Sequence, residues 1–174
     1  STWNVIANQV PFVPATRRVA PDAREWNGTG APALSMDKWD GYAVQRQRVH
    51  AHLRDHRVAN PIIITGDVHV SWVADLPERL EDLSSRPIGT EFVGTSISSG
   101  GNGAASTPVG NGMLADNAHL HFFNGQRGYA RCRVTPTSFS TEYRVVPYVD
   151  RADAPIATAA AFTVEAGRPG VHRA

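Results

Sequence analysis

Ile62-Ile63-Ile64-Thr65-Gly66-Asp67-Val68-His69 is the stretch on which the reading of this chain turns. Three isoleucines and a threonine without polar interruption read as a short strand buried on both faces, of the kind found inside a parallel or mixed sheet. Asn60-Pro61 ends the element ahead of it, because a proline pushes the preceding residue out of helical geometry. Gly66 then permits a sharp exit from the strand. Asp67 and His69 are one residue apart, so an extended backbone would aim both side chains to one side. A carboxylate suits a hard cation and an imidazole a transition metal, which makes the pair candidate ligands of a mixed-metal centre. A capping aspartate beside a buried, hydrogen-bonded histidine is the competing reading of the same four residues.

Working outward, residues 3–10 read as an opening strand. A loop follows over residues 11–40, too long for an idle connection and punctuated by Trp26 and Trp39. A helix fits residues 41–57: Asp40 can cap it, Tyr42, Val49 and Leu53 supply the apolar face, and Arg46, Arg48, His50, Arg54 and Asp55 take the others. Strand, loop, helix and buried strand in this order imply an α/β layer with a site at the strand's carboxyl end. Beyond His69, residues 70–86 read as partly helical, 91–97 as a strand and 98–112 as a Gly/Ser/Asn/Pro loop. Residues 119–123, 128–135, 139–148 and 157–164 form the strand-rich remainder. Ala130, Cys132 and Val134 alternate with Tyr129, Arg131 and Arg133, the pattern of a meander with one covered face. The fold class is therefore α/β (α+β), a mixed sheet plus an antiparallel meander.

A chain of 174 residues fits one domain or a piece of a larger one. The formal charge of +1, with no basic block, argues against a nucleic-acid-binding surface. Cys132 is the single cysteine, which excludes an internal disulfide framework and reads as a buried small apolar residue. No apolar run is long enough to span a bilayer. Lys38 is the only lysine. Because the first residues already read as a strand, the chain is expected to begin mid-domain. A sheet edge or apolar face should then lie uncovered and make the isolated chain prone to associate.

Other segments carry weaker signals. His119-Leu120-His121 has the spacing of a second ligand pair, although an exposed strand carries two histidines for no special reason. His50, His52 and His56 share a polar helix, and His172 falls in the tail; none is assigned a role. Ser99-Gly100-Gly101-Asn102-Gly103 resembles a phosphate cradle but lacks the Lys-Ser/Thr ending of one. Thr95-Ser96 has no visible triad partners. Trp39, Asp40 and Tyr42 at a helix start are candidate pocket residues, since helix starts favour anions. Arg127 offers a guanidinium able to grip a phosphate in bidentate fashion, with a structural salt bridge as the alternative.

Four segments read together carry a resemblance: Asp37-Lys38-Trp39-Asp40-Gly41-Tyr42 with Arg46; Thr65-Gly66-Asp67-Val68-His69 with Ser71-Trp72; Glu91-Phe92-Val93-Gly94-Thr95-Ser96-Ile97; and Phe122-Phe123-Asn124 with Arg127-Gly128-Tyr129. In order and spacing they resemble the alkaline phosphatase D (PhoD-like) family over nearly the whole chain. The resemblance implies the C-terminal half of a four-layer αββα calcineurin-like metallophosphoesterase sandwich. It implies export, to the periplasm or medium, and hydrolysis of phosphate mono- or diesters at alkaline pH. The implied centre is ferric iron (Fe3+) with calcium (Ca2+), other divalent metals being conceivable. Asp67 and His69 match the family's late ligand motif. Its earlier ligands, aspartates, a tyrosine and an asparagine, belong to an N-terminal half that this chain lacks, so the isolated chain is expected to be inactive. A non-catalytic β-rich binding or structural domain that retains the Gly-Asp-Val-His turn is the alternative.

Overall fold

The computed structural model describes residues 1–19, 28 and 30–174; Trp26, singled out above, lies outside them. In chain order the elements are β1 (Asn4–Ala7), β2 (Arg17–Val19), β3 (Ala31–Ala33), a 3-10 turn at Trp39–Tyr42, α1 (Ala43–Asp55), β4 (Pro61–Thr65), β5 (Ser71–Arg79) and β6 (Asp82–Val93). There follow α2 (Pro108–Asp116), β7 (Leu120–Asn124), β8 (Arg127–Val134), β9 (Ser138–Val146), β10 (Ala157–Glu165) and β11 (Arg168–Arg173).

The isoleucine run is β4, and it lies inside a five-stranded sheet of order β1-β4-β6-β5-β7. β1 and β6 flank it in parallel, while β5 and β7 run antiparallel, so the sheet is mixed as the sequence implies. Period two then divides the run between two cores. Ile62, with Val73 and Phe92, meets Phe139, Tyr143, Ala160, Phe162 and Val164 of a second, four-stranded sheet of order β11-β10-β9-β8. Ile63, with Trp72, Ala74, Leu76 and Val93, meets Leu53 of α1, Met113 of α2 and the segment Phe12, Val13 and Ala15. Each such buried aliphatic contributes about 1.5–3 kcal/mol, and a slip of one residue would exchange the two faces, so both cores fix the register. Between the sheets, Tyr143 donates its hydroxyl to the Trp72 carbonyl oxygen at 2.9 Å. Three layers result: helices with a covering segment, mixed sheet, meander. Of the four layers implied by resemblance, no helix covers the outer face of the meander among the described residues.

Several local expectations are corrected. Residues 70–86 are not helical: β5 and the first part of β6 form a long hairpin, because Trp72, Val73, Ala74 and Leu76 are consecutive and buried on both faces. Pro77 is accommodated there at a register shift, where a missing N–H costs no ladder bond. The strand predicted over 91–97 stops at Val93. Residues 98–112 are only partly loop, since α2 begins at Pro108 behind Thr107, whose hydroxyl accepts the Gly110 N–H at 3.0 Å. Residues around His172 form β11 rather than a tail. Cys132 is exposed, because it stands on β8, the edge strand of the meander. In α1 the faces are partly exchanged: Leu53 is buried as expected, but Arg46 and His50 join it, while Tyr42 and Val49 are exposed. The polar groups tolerate this because each has a partner, Asp40 for Arg46 and the Pro77 carbonyl at 2.7 Å for His50 Nε2.

The start of the long loop is not solvated. Phe12, Val13, Pro14 and Ala15 are buried against the mixed sheet, and side chains supply the partners their backbone needs. Glu91 accepts from Phe12 and Val13, His119 Nε2 meets the Pro14 carbonyl oxygen, and Asn117 bonds both backbone groups of Thr16.

Two titratable groups in these layers give opposite pH dependences. Asp75 joins the sheets: its carboxylate accepts the Val171 N–H of β11 at 3.0 Å and lies 2.8 Å from His121 Nε2. That hydrogen bond holds the His121 imidazolium above its ordinary range. The pair therefore stabilises fully below about pH 6.5 and its contribution is lost as pH rises through the higher folded value. Urea unfolding should show wild type more stable than His121→Gln at pH 5.5, with the gap closing by pH 8.5; a gap independent of pH would refute the linkage. Lys38 behaves oppositely. It is 5% exposed, and its Nζ stands 4.9 Å over the Trp72 ring. Burial, reinforced by Arg17, pulls its ammonium down to about 7. Between about pH 7 and 10.4 the unfolded chain binds more protons, so stability rises with pH by up to ~1.4 kcal/mol per unit. Lys38→Met should flatten that slope between pH 7.5 and 9.5; an unchanged slope would assign it elsewhere.

Candidate metal turn and its surroundings

β4 ends at Thr65, whose hydroxyl donates to Glu91 Oε1 at 2.8 Å. The chain then turns, though not at the glycine. Gly66 has an ordinary φ, and a Cβ placed on it would meet nothing within 4 Å. Asp67 and His69 are instead the left-handed residues, at φ 72° and 54°. Val68 N–H donates to the Gly66 carbonyl oxygen at 3.0 Å, which closes a three-residue turn centred on Asp67. The expectation of an extended Asp-Val-His is thus corrected. Val68 packs into the helix-side core, and the two left-handed residues flank it with exposed side chains. Carboxylate and imidazole both face solvent at the carboxyl end of a buried parallel strand, on backbone that costs about 1–3 kcal/mol per residue to hold.

Among the described residues no cluster of three or more His, Cys, Asp or Glu forms. The donors present, one hard oxygen and one imidazole nitrogen, fit part of an iron or calcium shell. They fall short of the six to eight oxygens calcium takes.

The remaining candidates separate. Trp39 stacks edge-on to Phe12 at 5.2 Å between ring centres. With the exposed Tyr42 and Asn8, Gln9, Val10 and Gln45 it lines a shallow groove of about 320 Å³. A second hollow of about 370 Å³, lined by Ala7, Asn8, Gln9, Ile64 and Thr65, shares two of those residues. The two adjoin at Asn8 and Gln9, and together their linings reach from Tyr42 to Thr65. Asp40 does not line it; the carboxylate is buried against Arg46 and caps no helix. Arg127 is also buried, and it takes part in no ion pair among the described residues. Its Nη1 and Nη2 donate to oxygens of His69, Ser96, Ser99 and Gly125, and burial lowers its pKa. His119 and His121 are not a ligand pair, since the first is bound to the Pro14 carbonyl and the second to Asp75. A larger hollow of about 790 Å³ lies at the other end of β4, beside Arg57, Asn60 and Arg86.

Sequence reasoning quoted Glu91 and Lys38 but did not place either in the interior, where both lie. Burial pushes the Glu91 carboxyl up from its ordinary range, against three hydrogen-bond donors and the Lys38 charge. The available signals were a glutamate inside an apolar strand and a solitary lysine.

The model of the family "PhoD-like phosphatase" matches residues 1–143. The alkaline phosphatase D of Bacillus subtilis (strain 168) is 43% identical over 173 residues, which is 98% of this chain and 28% of that protein. A solved structure described as "Structure of PhoD" superposes with a TM-score of 0.86 at 40% identity, over 99% of this chain and 31% of that one. The chain thus spans less than a third of the length of the relatives it matches. With the mixed sheet, the meander and the Gly-Asp-Val-His turn in place, this chain belongs to the PhoD-like phosphatase family.

Proposed function

We propose that this chain is the C-terminal portion of an exported, metal-dependent phosphoesterase, and that Asp67 and His69 are two ligands of its metal centre. The observation that supports this most directly is the turn itself: two left-handed, non-glycine residues expose a carboxylate and an imidazole at the end of a buried strand. Backbone strain of that kind persists where the surroundings over-determine it, and it clusters at active sites. By resemblance the centre holds Fe3+ and Ca2+. When bound, such metals supply a hydroxide nucleophile and neutralise charge on the phosphoryl and leaving oxygens.

The chain's own residues have simpler tasks. Asp67 contributes a hard anionic oxygen, and His69 an unprotonated ring nitrogen. Val68, packed against the core between them, fixes the backbone that carries both. The groove between Tyr42 and Thr65 opens beside the turn and is mostly apolar, which suits the organic part of a phosphate mono- or diester. Two ligands cannot saturate the centre, so the rest of the protein must bring the others, and the isolated chain is inactive. β1 stands at the edge of the mixed sheet with Val5 exposed, which offers a place for that remainder to dock. The lack of a third donor among the described residues favours one second reading, a binding or structural domain that has kept the turn.

In the longer protein, Asp67→Ala and His69→Ala should each lower kcat/KM for an aryl phosphate at least ~100-fold, above the cost of losing a group that merely supports a ligand. Bound metal should fall in parallel. Wild-type turnover in both variants would defeat the assignment. Turnover by residues 1–174 alone would defeat the half-site.

A further inference from the structure

Arg127 is the first residue of β8 and is 4% exposed, yet it forms none of the ion pairs among the described residues. A buried guanidinium without a carboxylate is costly unless its donors are matched in other ways; here Nε has no partner among the described residues, while both terminal nitrogens do. Nη1 donates to the His69 carbonyl oxygen at 2.5 Å, to Ser96 Oγ at 3.0 Å and to the Ser99 carbonyl oxygen at 2.9 Å. Nη2 donates to the Gly125 carbonyl oxygen at 2.5 Å. One side chain therefore ties together the metal turn, the Gly/Ser loop after β6 and the β7–β8 turn.

The loop fits closely around this guanidinium. A Cβ on Gly103 would lie 1.9 Å from the Gly125 oxygen and 2.6 Å from Arg127 Nη2. At the tip, Gly100 has φ +87°, and a Cβ there would lie 3.5 Å from Arg127 Nη1 and 3.7 Å from His69 Nδ1. The loop tip thus lies near the imidazole edge, where a methyl on Gly100 would just reach the ring. Asn102 fastens its far side, accepting the Val149 N–H at 2.7 Å and donating to Asp150 at 3.0 Å.

We propose that Arg127 is a positioning residue for the metal turn. Its guanidinium holds His69 left-handed by the carbonyl oxygen and keeps the Gly100 tip of the loop beside the imidazole. The backbone that carries the ring, and the loop next to it, are thereby set before any metal arrives. The expected result of pre-setting a ligand in this way is tighter metal binding. This role deepens the phosphoesterase reading and rests on it for its consequence. The clamp itself is a matter of this fold and is measured separately.

The test uses the longer protein and two readouts. In the metal-free state, hydrogen exchange is followed by mass spectrometry for wild type, Arg127→Met, Arg127→Lys and Gly100→Ala. Arg127→Met should speed exchange in residues 66–70 and 96–104 together while residues 43–55 stay protected. Arg127→Lys should do so less, and Gly100→Ala, which leaves Arg127 in place, should affect the same two segments. Loosening of 96–104 alone, with the turn unchanged, would overturn the proposal, as would a uniform rise over the whole chain in all three variants. In the second readout Co2+ is the probe. Arg127→Met should weaken its binding by about 10–100-fold, and should cost nothing further in a His69→Ala background. An equal loss in both backgrounds would show that Arg127 does not act through His69. If wild type binds no Co2+, the metal reading fails, and the exchange data still decide whether the clamp exists.

Discussion

A carboxylate with no exposure to water sits in the middle of the mixed sheet, and much of the molecule is arranged around it. Glu91 accepts the backbone N–H groups of Phe12 and Val13, at 2.8 and 2.9 Å, and the hydroxyl of Thr65 at 2.8 Å. The first two bonds allow an irregular segment to be buried, which otherwise fails because unpaired backbone groups cost about 1–3 kcal/mol each. Once Phe12, Val13 and Ala15 are down, the helix-side core is closed and Trp39 has a surface to rest on. The third bond holds the end of β4, so the same group that seals the core also sets where the Gly-Asp-Val-His turn begins.

From that fixed point the turn is shaped by opposing demands. Val68 is drawn into the core, Asp67 and His69 are forced left-handed to let it go there, and Arg127 takes the carbonyl oxygen of His69 from the other side. None of these residues is exchangeable for another on physical grounds. A polar group at Val68 would lose its packing against the core, and a neutral group at Arg127 would leave several oxygens short of donors. The candidate ligands are therefore carried on a turn held from two sides, by Val68 against the core and by Arg127 at the His69 carbonyl oxygen.

Periodicity revealed what burial makes periodic. The isoleucine run, the mixed sheet it implies and the alternating strands of the meander follow from apolar side chains that have only one stable place to go. Where a strand is buried on both faces, as in β5, alternation vanishes and its residues read as a helix. Where glycines precede a well-formed cap, as before and within α2, composition reads as loop. In α1 a cation and an imidazole occupy the buried face, and only their partners, Asp40 and the Pro77 carbonyl, explain why. The candidate ligands were named from their match to the family's motif at the end of an apolar strand, and the backbone that presents them was not legible.

Sequence by itself determined the α/β class, the buried strand and the turn that ends it. Through four motifs in series it also determined the family, because each of these depends on residue types at short range along the chain. Tertiary structure alone decided which polar groups could be buried. The partners of Glu91 lie 79, 78 and 26 residues away, and those of Arg127 at His69 and Ser96 lie 58 and 31 residues away. A charge in the interior is tolerable only when folding brings its partners to it, and no local pattern records that they will arrive.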